Sequence, residues 1–375
     1  MALTKVSTAV VDMSGNTEAL EIAKGTTTER DAISSPTIGL LRSNTTDNTM
    51  EVYTNNSGTP GWKVLKEGGN AFTALVVDYL VVAGGGGGGG SQQVGYGGGA
   101  GGGAGGLRTS FGSTSGGGTS AESYIQGIVN TNYTVTIGTG GTGAPLSTNN
   151  RGTNGTDSAF GSASLGNLIT SKGGGGGGNY GQIVANGQGY DGGSGGGSSR
   201  DLSGGAALTT PAVMGFDGGD ASYSAVGGAG GGGAASVGLV SYAGSGGIKI
   251  GGDGGDGLQS SITVALGAGT YYAGGGAGGT FGASTITGQG GSGVGGNGGA
   301  QYVNATTGDV NTGSGGGGAG NYSRQGANGG SGIVVLRYPK SYTIAVTGSL
   351  FRSTAIVGTY NVTTFTSGSG TITFS

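Results

Sequence analysis

The sequence predicts an all-β protein in which much of the backbone is polyglycine II rather than ladder-paired strand. The expected architecture is a glycine-rich helix sandwich closed by a β base, with a small N-terminal β attachment module. Three observations carry this. Glycine supplies 101 of 375 residues and proline only 5, against about 7% glycine in an average chain. The glycines are gathered into runs, the longest being Gly84–Gly90. The array of runs is framed by two apolar strands, Val76–Val82 before it and Ile333–Pro339 after it.

A glycine run has no side chain to bury, and each glycine loses more backbone entropy on ordering than any other residue. What can order it is hydrogen bonding between neighbouring extended backbones. Polyglycine II supplies this: a left-handed helix of three residues per turn and about 3.1 Å rise, whose N–H and C=O groups point outward to neighbours. Collagen is excluded, because there is no Gly-X-Y register and too little proline. The bland alternative for such a composition is a disordered low-complexity chain.

In order along the chain, residues 1–70 stand apart. They hold 14 of the charged residues, the sole Trp62 and just seven glycines. Ile38–Thr46, Met50–Tyr53 and Trp62–Leu65 alternate apolar with polar residues between turn-forming clusters, which predicts a three-stranded meander. It has too little core to stand alone, so it should pack on copies of itself or on a docking partner. Residues 71–332 form the glycine-rich domain. Its runs, of six to thirteen residues, would make rods of about 20–40 Å. Gly84, Gly87, Gly90, Gly175 and Gly276 are taken as its structural glycine core, and small substituents are expected on its outer face. Two ordinary strands interrupt the array, Asn132–Gly138 and Ser261–Gly267. Residues 333–375 revert to β composition, and these strands are expected to pair with Val76–Val82 and close the base.

Composition also bounds the chemistry. There is no Cys and no His, which removes disulfides, the usual zinc sites, thiol nucleophiles and histidine-based triads. A net charge of −3 leaves no basic patch for nucleic acid. The first residues lack a signal-peptide core and no long apolar run occurs, so neither signal-directed export nor membrane insertion is expected. Gly-x-Gly-x-x-Gly recurs, as it must at this glycine content, without the strand–helix context of a dinucleotide site. No P-loop is present, and no cofactor is expected. Gly251–Gln259 fits one copy of a calcium-binding β-roll nonapeptide, making Asp253 and Asp256 weak calcium candidates against a plain exposed face. Asp217/Asp220 and Asp253/Asp256 are paired carboxylates of the kind glycoside hydrolysis needs, by sequence proximity alone. Neither outweighs the expectation of a protein that is not an enzyme.

The segments between glycine runs carry most of the large side chains. Glycine runs offer only backbone and cannot discriminate among ligands, so contact falls to these segments. Tyr190, Arg200, Tyr271, Tyr272, Tyr302, Tyr322 and Arg324 are the candidate receptor contacts, since tyrosine combines an apolar face with a hydroxyl at low entropy cost. The competing role for each tyrosine is to staple the ends of the glycine bundle.

Val77-Asp-Tyr-Leu-Val-Val-Ala-Gly-Gly-Gly-Gly, Tyr133-Thr-Val-Thr-Ile-Gly and the segment Gly330–Pro339 (Gly-Ser-Gly-Ile-Val-Val-Leu-Arg-Tyr-Pro) resemble the framing motifs of the glycine-rich domain of bacteriophage tail-fibre proteins. The resemblance covers roughly residues 75–375, and the composition is similar to the tip adhesins of T-even-type phages. It implies a polyglycine II sandwich with receptor-binding loops, on a virion appendage exposed to the extracellular medium. Its partners would be other virion or tail proteins through residues 1–70, and a host surface glycan or outer-membrane protein. A homotrimer is expected. The rival class is structural: a collar, spacer or filament-forming protein whose loops contact neighbouring subunits.

Overall fold

The computed structural model describes residues 22–56, 59–67, 70–71, 75–91, 97–145, 150–181, 183–221, 226–264, 269–282, 285–321 and 324–375. The chain divides into two compact units, Met1–Ala74 and Leu75–Ser375. Strand dominates the regular structure, and Thr27–Asp31 is the one α-helix among the described residues.

The first unit is a four-stranded sheet in the order Lys24–Gly25, Leu41–Asn44, Thr49–Asn56, Thr59–Val64. The last three form an antiparallel meander, and Lys24–Gly25 joins Leu41–Asn44 in parallel. Thr26 caps the short helix reciprocally with Glu29, Glu29 N–H donating to Thr26 Oγ1 at 3.2 Å and Thr26 N–H to Glu29 Oε2 at 2.7 Å. Such a capping box satisfies two otherwise orphaned donors. The interior is polar. Arg42, Asn44 and Glu51 are buried, and Glu51 Oε1 accepts from Asn44 Nδ2 at 3.0 Å and from Arg30 at 2.9 Å. No apolar side chain is buried among the described residues of this unit.

The second unit begins with a β sandwich. One sheet runs Phe351–Val357, Tyr360–Ser367, Ile333–Pro339, Val76–Val82, Leu107–Thr109, with Ile125–Gln126 on the first residues of Val76–Val82. The other runs Ile169–Ser171, Ser158–Gly161, Tyr133–Thr136, Ser369–Phe374, Ile344–Gly348. The two framing strands of the glycine region are therefore antiparallel neighbours, Val82 opposite Ile333. Alternation gives Val76–Val82 two buried faces. Val77, Tyr79 and Val81 join Tyr133, Phe160 and Phe374 of the second sheet in one core, while Leu80 and Val82 join Leu107, Val335, Ile262 and Tyr272 in another. Tyr133 and Tyr338 each meet Phe374 edge-on, with ring centroids 5.6 and 5.3 Å apart, an arrangement aromatic pairs favour. The expected strand Ser261–Gly267 is not formed over its described residues. Leu258–Ser260 and Thr270–Tyr272 pair instead, and Ile262 lies in a turn, its side chain buried in the second core. Of the alternating apolar residues described there, Ile262 is plugged into the core and Val264 is exposed.

From Ala83 the chain leaves the sheets and enters the glycine array. Gly84 and Gly87 donate to Thr156 and Thr153, Gly85 and Gly88 to Gly330 and Ala327, Gly86 and Gly89 to Gly103 and Ala100. Their carbonyls accept in the same rhythm, from Gly174 and Gly177, from Gly141 and Ala144, and from Gly316 and Ala319. All twelve bonds are 2.8 to 3.1 Å long. Each neighbour is met every third residue, and the run has six neighbours where a ladder strand has two. The run Gly98–Gly106 repeats the pattern, with bonds to residues 83–89, 172–178, 194–197, 226–232, 276–279 and 313–319.

Close approach explains the glycines. A Cβ would lie 2.0 Å from Thr139 O at Gly84, 2.1 Å from Thr142 O at Gly87, 1.9 Å from Tyr190 O at Gly175 and 2.1 Å from Gly316 O at Gly276. None of these glycines has positive φ, so room rather than handedness requires them. Gly90 differs from the other four, because its Cβ would meet the Asn179 side-chain nitrogen at 3.0 Å and the Ala144 methyl at 3.1 Å. Alanine is not confined to the outer face either: Ala100 and Ala104 are fully buried inside the second run.

Candidate functional site

The array has two ends. One abuts the sheets, where Gly332, Ala83 and Gly106 hand over to strand. At the other, Ser91 N–H donates to Arg324 O, Tyr180 N–H to Gly90 O, and Lys249 exchanges backbone bonds with Phe281. The segments turning there include Asn179–Gly181, Ser199–Asp201, Ser241–Lys249, Thr280–Gly282, Ala300–Val303 and Arg324–Gln325.

The flanks of the array are closed by short polar side chains spaced three apart. Asp217 and Asp220 accept from the N–H groups of Ala207 and Gly204, at 2.7 and 2.8 Å. Asn154 and Asp157 accept from Gly176 and Gly173, each at 2.9 Å. Thr153 and Thr156 accept from Thr142 and Thr139, at 2.8 and 2.7 Å. A threefold run presents the same side every third residue, so an outer run meets its antiparallel neighbour at that interval. A side-chain oxygen thus serves the donors that no further backbone run reaches. The same spacing accounts for the carboxylate pairs singled out in the sequence. Asp253 Oδ1 accepts from Gln289 N–H at 2.7 Å, and Asp256 Oδ1 from the Ser292 hydroxyl at 3.1 Å. Among the described residues no three His, Cys, Asp or Glu side chains gather as a metal site.

The proposed contact residues divide. Tyr302 is 75% exposed at the end away from the sheets. Close by, Arg324 donates to Asn304 Oδ1 at 2.8 Å and to Gln301 O at 3.2 Å. Arg200 is half-buried at the same end, its guanidinium over the Tyr180 ring at 5.1 Å and donating to Gly181 O. Tyr190 is exposed on the flank beneath Arg151, whose guanidinium carbon lies 4.4 Å from the ring centroid. Tyr271 and Tyr272 are not part of this group, since their hairpin sits at the sheet end. Tyr271 is exposed, but Tyr272 is only 4% exposed and packs with Val82, Leu107 and Val335. Burial pushes its phenol up. Tyr272 is a core residue, because the second face of the base sheet needs an apolar cover. Tyr322 lies outside the described residues.

Two grooves lie on the flank, one beside Arg151 and one beside Arg324. One, of 580 Å3, is lined by Thr142, Pro145, Asn150, Arg151, Asn154, Asn186 and Tyr190 among others. The second, of 390 Å3, is lined by Asn304, Thr307, Arg324, Gln325 and Asn328 among others. Gly143 of the first lining donates its N–H to Asn328 Oδ1 of the second at 2.8 Å, and Thr142 N–H donates to Thr153 Oγ1. Arg151 and the groove asparagines went unmarked in the sequence. Their signal was modest: a polar segment holding a cation between two glycine runs.

The charges are sorted along the array. Arg108 pairs with Glu122 at 2.6 Å and Lys172 with Asp157 at 2.8 Å, both towards the sheets. Arg151, Arg200, Lys249 and Arg324 have no ion-pair partner among the described residues. No described helix is long and apolar enough to cross a membrane.

No curated protein matches the chain at a significant level. The family model described as "Glycine-rich domain" matches residues 69–339, a span running from just before the first framing strand to the end of the second. By that match over most of its length, the chain belongs to the glycine-rich domain family.

Proposed function

We propose that this chain is a bacteriophage tail-fibre or tail-tip adhesin, which recognises a host cell-surface receptor through segments at one end of a rigid polyglycine II scaffold. The scaffold part is supported by the three-residue recurrence of hydrogen bonds to six neighbours, the pattern expected of three-per-turn helices packed side by side. Each bond is worth about 1 kcal/mol net, so only a lattice that satisfies every inner N–H and C=O can offset the ordering entropy of glycine.

The observation that carries recognition is the meeting of exposed Tyr190 and Tyr302 with cations that have no ion-pair partner among the described residues, towards the end away from the sheets. Binding residues concentrate on connecting segments held by a rigid scaffold. The protein acts by binding, without chemistry. Residues 1–70 serve as the attachment module to other virion proteins, in a homotrimer. A unit without buried apolar side chains among its described residues that exposes Ile33, Ile38, Leu40 and Leu41 suits assembly with a partner.

The structural reading, a virion spacer or collar, also has an observation in its favour. Phe351–Val357 is an edge strand of the base sheet, with Phe351 and Ile356 strongly exposed, and such edges invite pairing. The test is adsorption of the labelled full chain to a panel of bacterial strains. Adsorption to some strains, reduced at least tenfold by Tyr302→Ala with Arg324→Gln at unchanged melting temperature, is the expected result. Adsorption to none would leave the spacer reading standing.

A further inference from the structure

We infer that the two grooves lined by Arg151 and by Arg324 bind an acidic glycan, a saccharide carrying carboxylate or phosphate groups. This rests on the receptor-recognition function proposed above and names the chemistry of the receptor.

The first argument is charge. Between Gly84 and Gly332 the cations are Arg108, Arg151, Lys172, Arg200, Lys249 and Arg324. Arg108 and Lys172 are neutralised by Glu122 and Asp157 near the sheets. The other four meet no carboxylate among the described residues, and two of them line the grooves. The flank acids Asp157, Asp191, Asp217, Asp220 and Asp253 each accept a backbone N–H, and none of them lines either groove. Asp201, beside Arg200, lines neither groove. A protein with net charge −3 thus presents two grooves whose linings each hold an arginine and no carboxylate.

The second argument is the lining. Each groove combines one arginine with three side-chain amides: Asn150, Asn154 and Asn186 in the first, Asn304, Gln325 and Asn328 in the second. Amides both donate and accept, which suits sugar hydroxyls, and the planar fork of arginine suits carboxylate or phosphate. The Arg151 guanidinium carbon lies 4.4 Å from the Tyr190 ring centroid, its Nη2 donates to Ala185 O, and its Nε is buried without a partner. A guanidinium already stacked and partly desolvated loses little freedom on binding an anion. Protein partners are commonly anchored by large apolar side chains in desolvated pockets, and apart from Tyr190 and Pro145 neither lining offers a large apolar side chain.

The third argument is spacing. The grooves lie on bonded runs, Gly143 of the first lining donating to Asn328 Oδ1 of the second at 2.8 Å, so a repeating acidic saccharide can engage both, and linked contacts reinforce one another.

The test is binding of the full chain to an array of bacterial surface polysaccharides grouped as neutral, uronate-bearing and phosphate-bearing. Binding to uronate- or phosphate-bearing glycans is expected, with the responding group identifying the anion. Arg151→Gln and Arg324→Gln should each weaken it about tenfold or more, the loss of one charge-assisted contact. Asn150→Ala and Gln325→Ala, at exposed positions away from the Tyr190 stack, should weaken it at unchanged melting temperature. The inference is overturned if no acidic glycan binds, if neutral glycans bind equally, or if the variants bind as the native chain does. Whole cells separate this failure from that of the adhesin function. Adsorption that survives the double arginine variant but is lost on protease treatment of the cells identifies a protein receptor and overturns the glycan. Adsorption to no strain removes both.

Discussion

A single methyl group is the sharpest probe of the inner glycines. At Gly87 it would sit 2.1 Å from Thr142 O, an oxygen held in the lattice and unable to retreat without breaking bonds. Gly87→Ala should therefore destabilise the domain by about 4 kcal/mol or more, several lattice bonds together with overpacking. At Gly90 the nearest atoms belong to the Asn179 and Ala144 side chains, 3.0 and 3.1 Å away, and Gly90→Ala should cost about 1 kcal/mol or less. Thermal melts of the two variants check the contrast, and equal losses would mean the two positions are equally confined. In the sequence these glycines were indistinguishable, since both lie in one unbroken run. The difference comes from neighbours far along the chain, which composition does not reveal. The same limit applied to Tyr272: its type favoured a contact surface, but the outer face of the base sheet claimed it as core.

At the scale of single elements, the framing strands were legible because apolar alternation bounded by glycine and proline is a local signal. Their pairing, Val82 opposite Ile333, followed from the need to bring the chain back to its starting point. The polar substituents within the runs were legible in spacing but not in role. A spacing of three resembled a calcium loop or a pair of catalytic acids, whereas it records the turn of the run itself. Asp217→Ala with Asp220→Ala should leave the core intact and fray that flank. The amides of Ala207 and Gly204, which lose their acceptors, should exchange at least tenfold faster, as expected for the loss of about 1.5 kcal/mol per charge-assisted bond. Amide exchange followed by NMR checks this, and unchanged protection at both positions would show that the carboxylates are not needed as caps.

At the scale of the molecule, a scaffold with almost no side chains can be rigid, because its cohesion lies in backbone bonds running in six directions. Such a lattice leaves its turning segments free to vary in length and chemistry without disturbing the interior. The distribution of charge gives those segments a direction: ion pairs towards the sheets, and at the opposite end arginines and a lysine with no ion-pair partner among the described residues. The contrast between adhesin and spacer reduces to which surface another molecule covers. The most direct measurement is the hydrogen-exchange footprint of the full chain with and without outer-membrane vesicles from a strain that it adsorbs to. The account predicts new protection in segments 150–154, 183–191, 199–202, 300–305 and 324–328, with Phe351–Val357 unchanged. Protection confined to Phe351–Val357 or to residues 22–67 would contradict it.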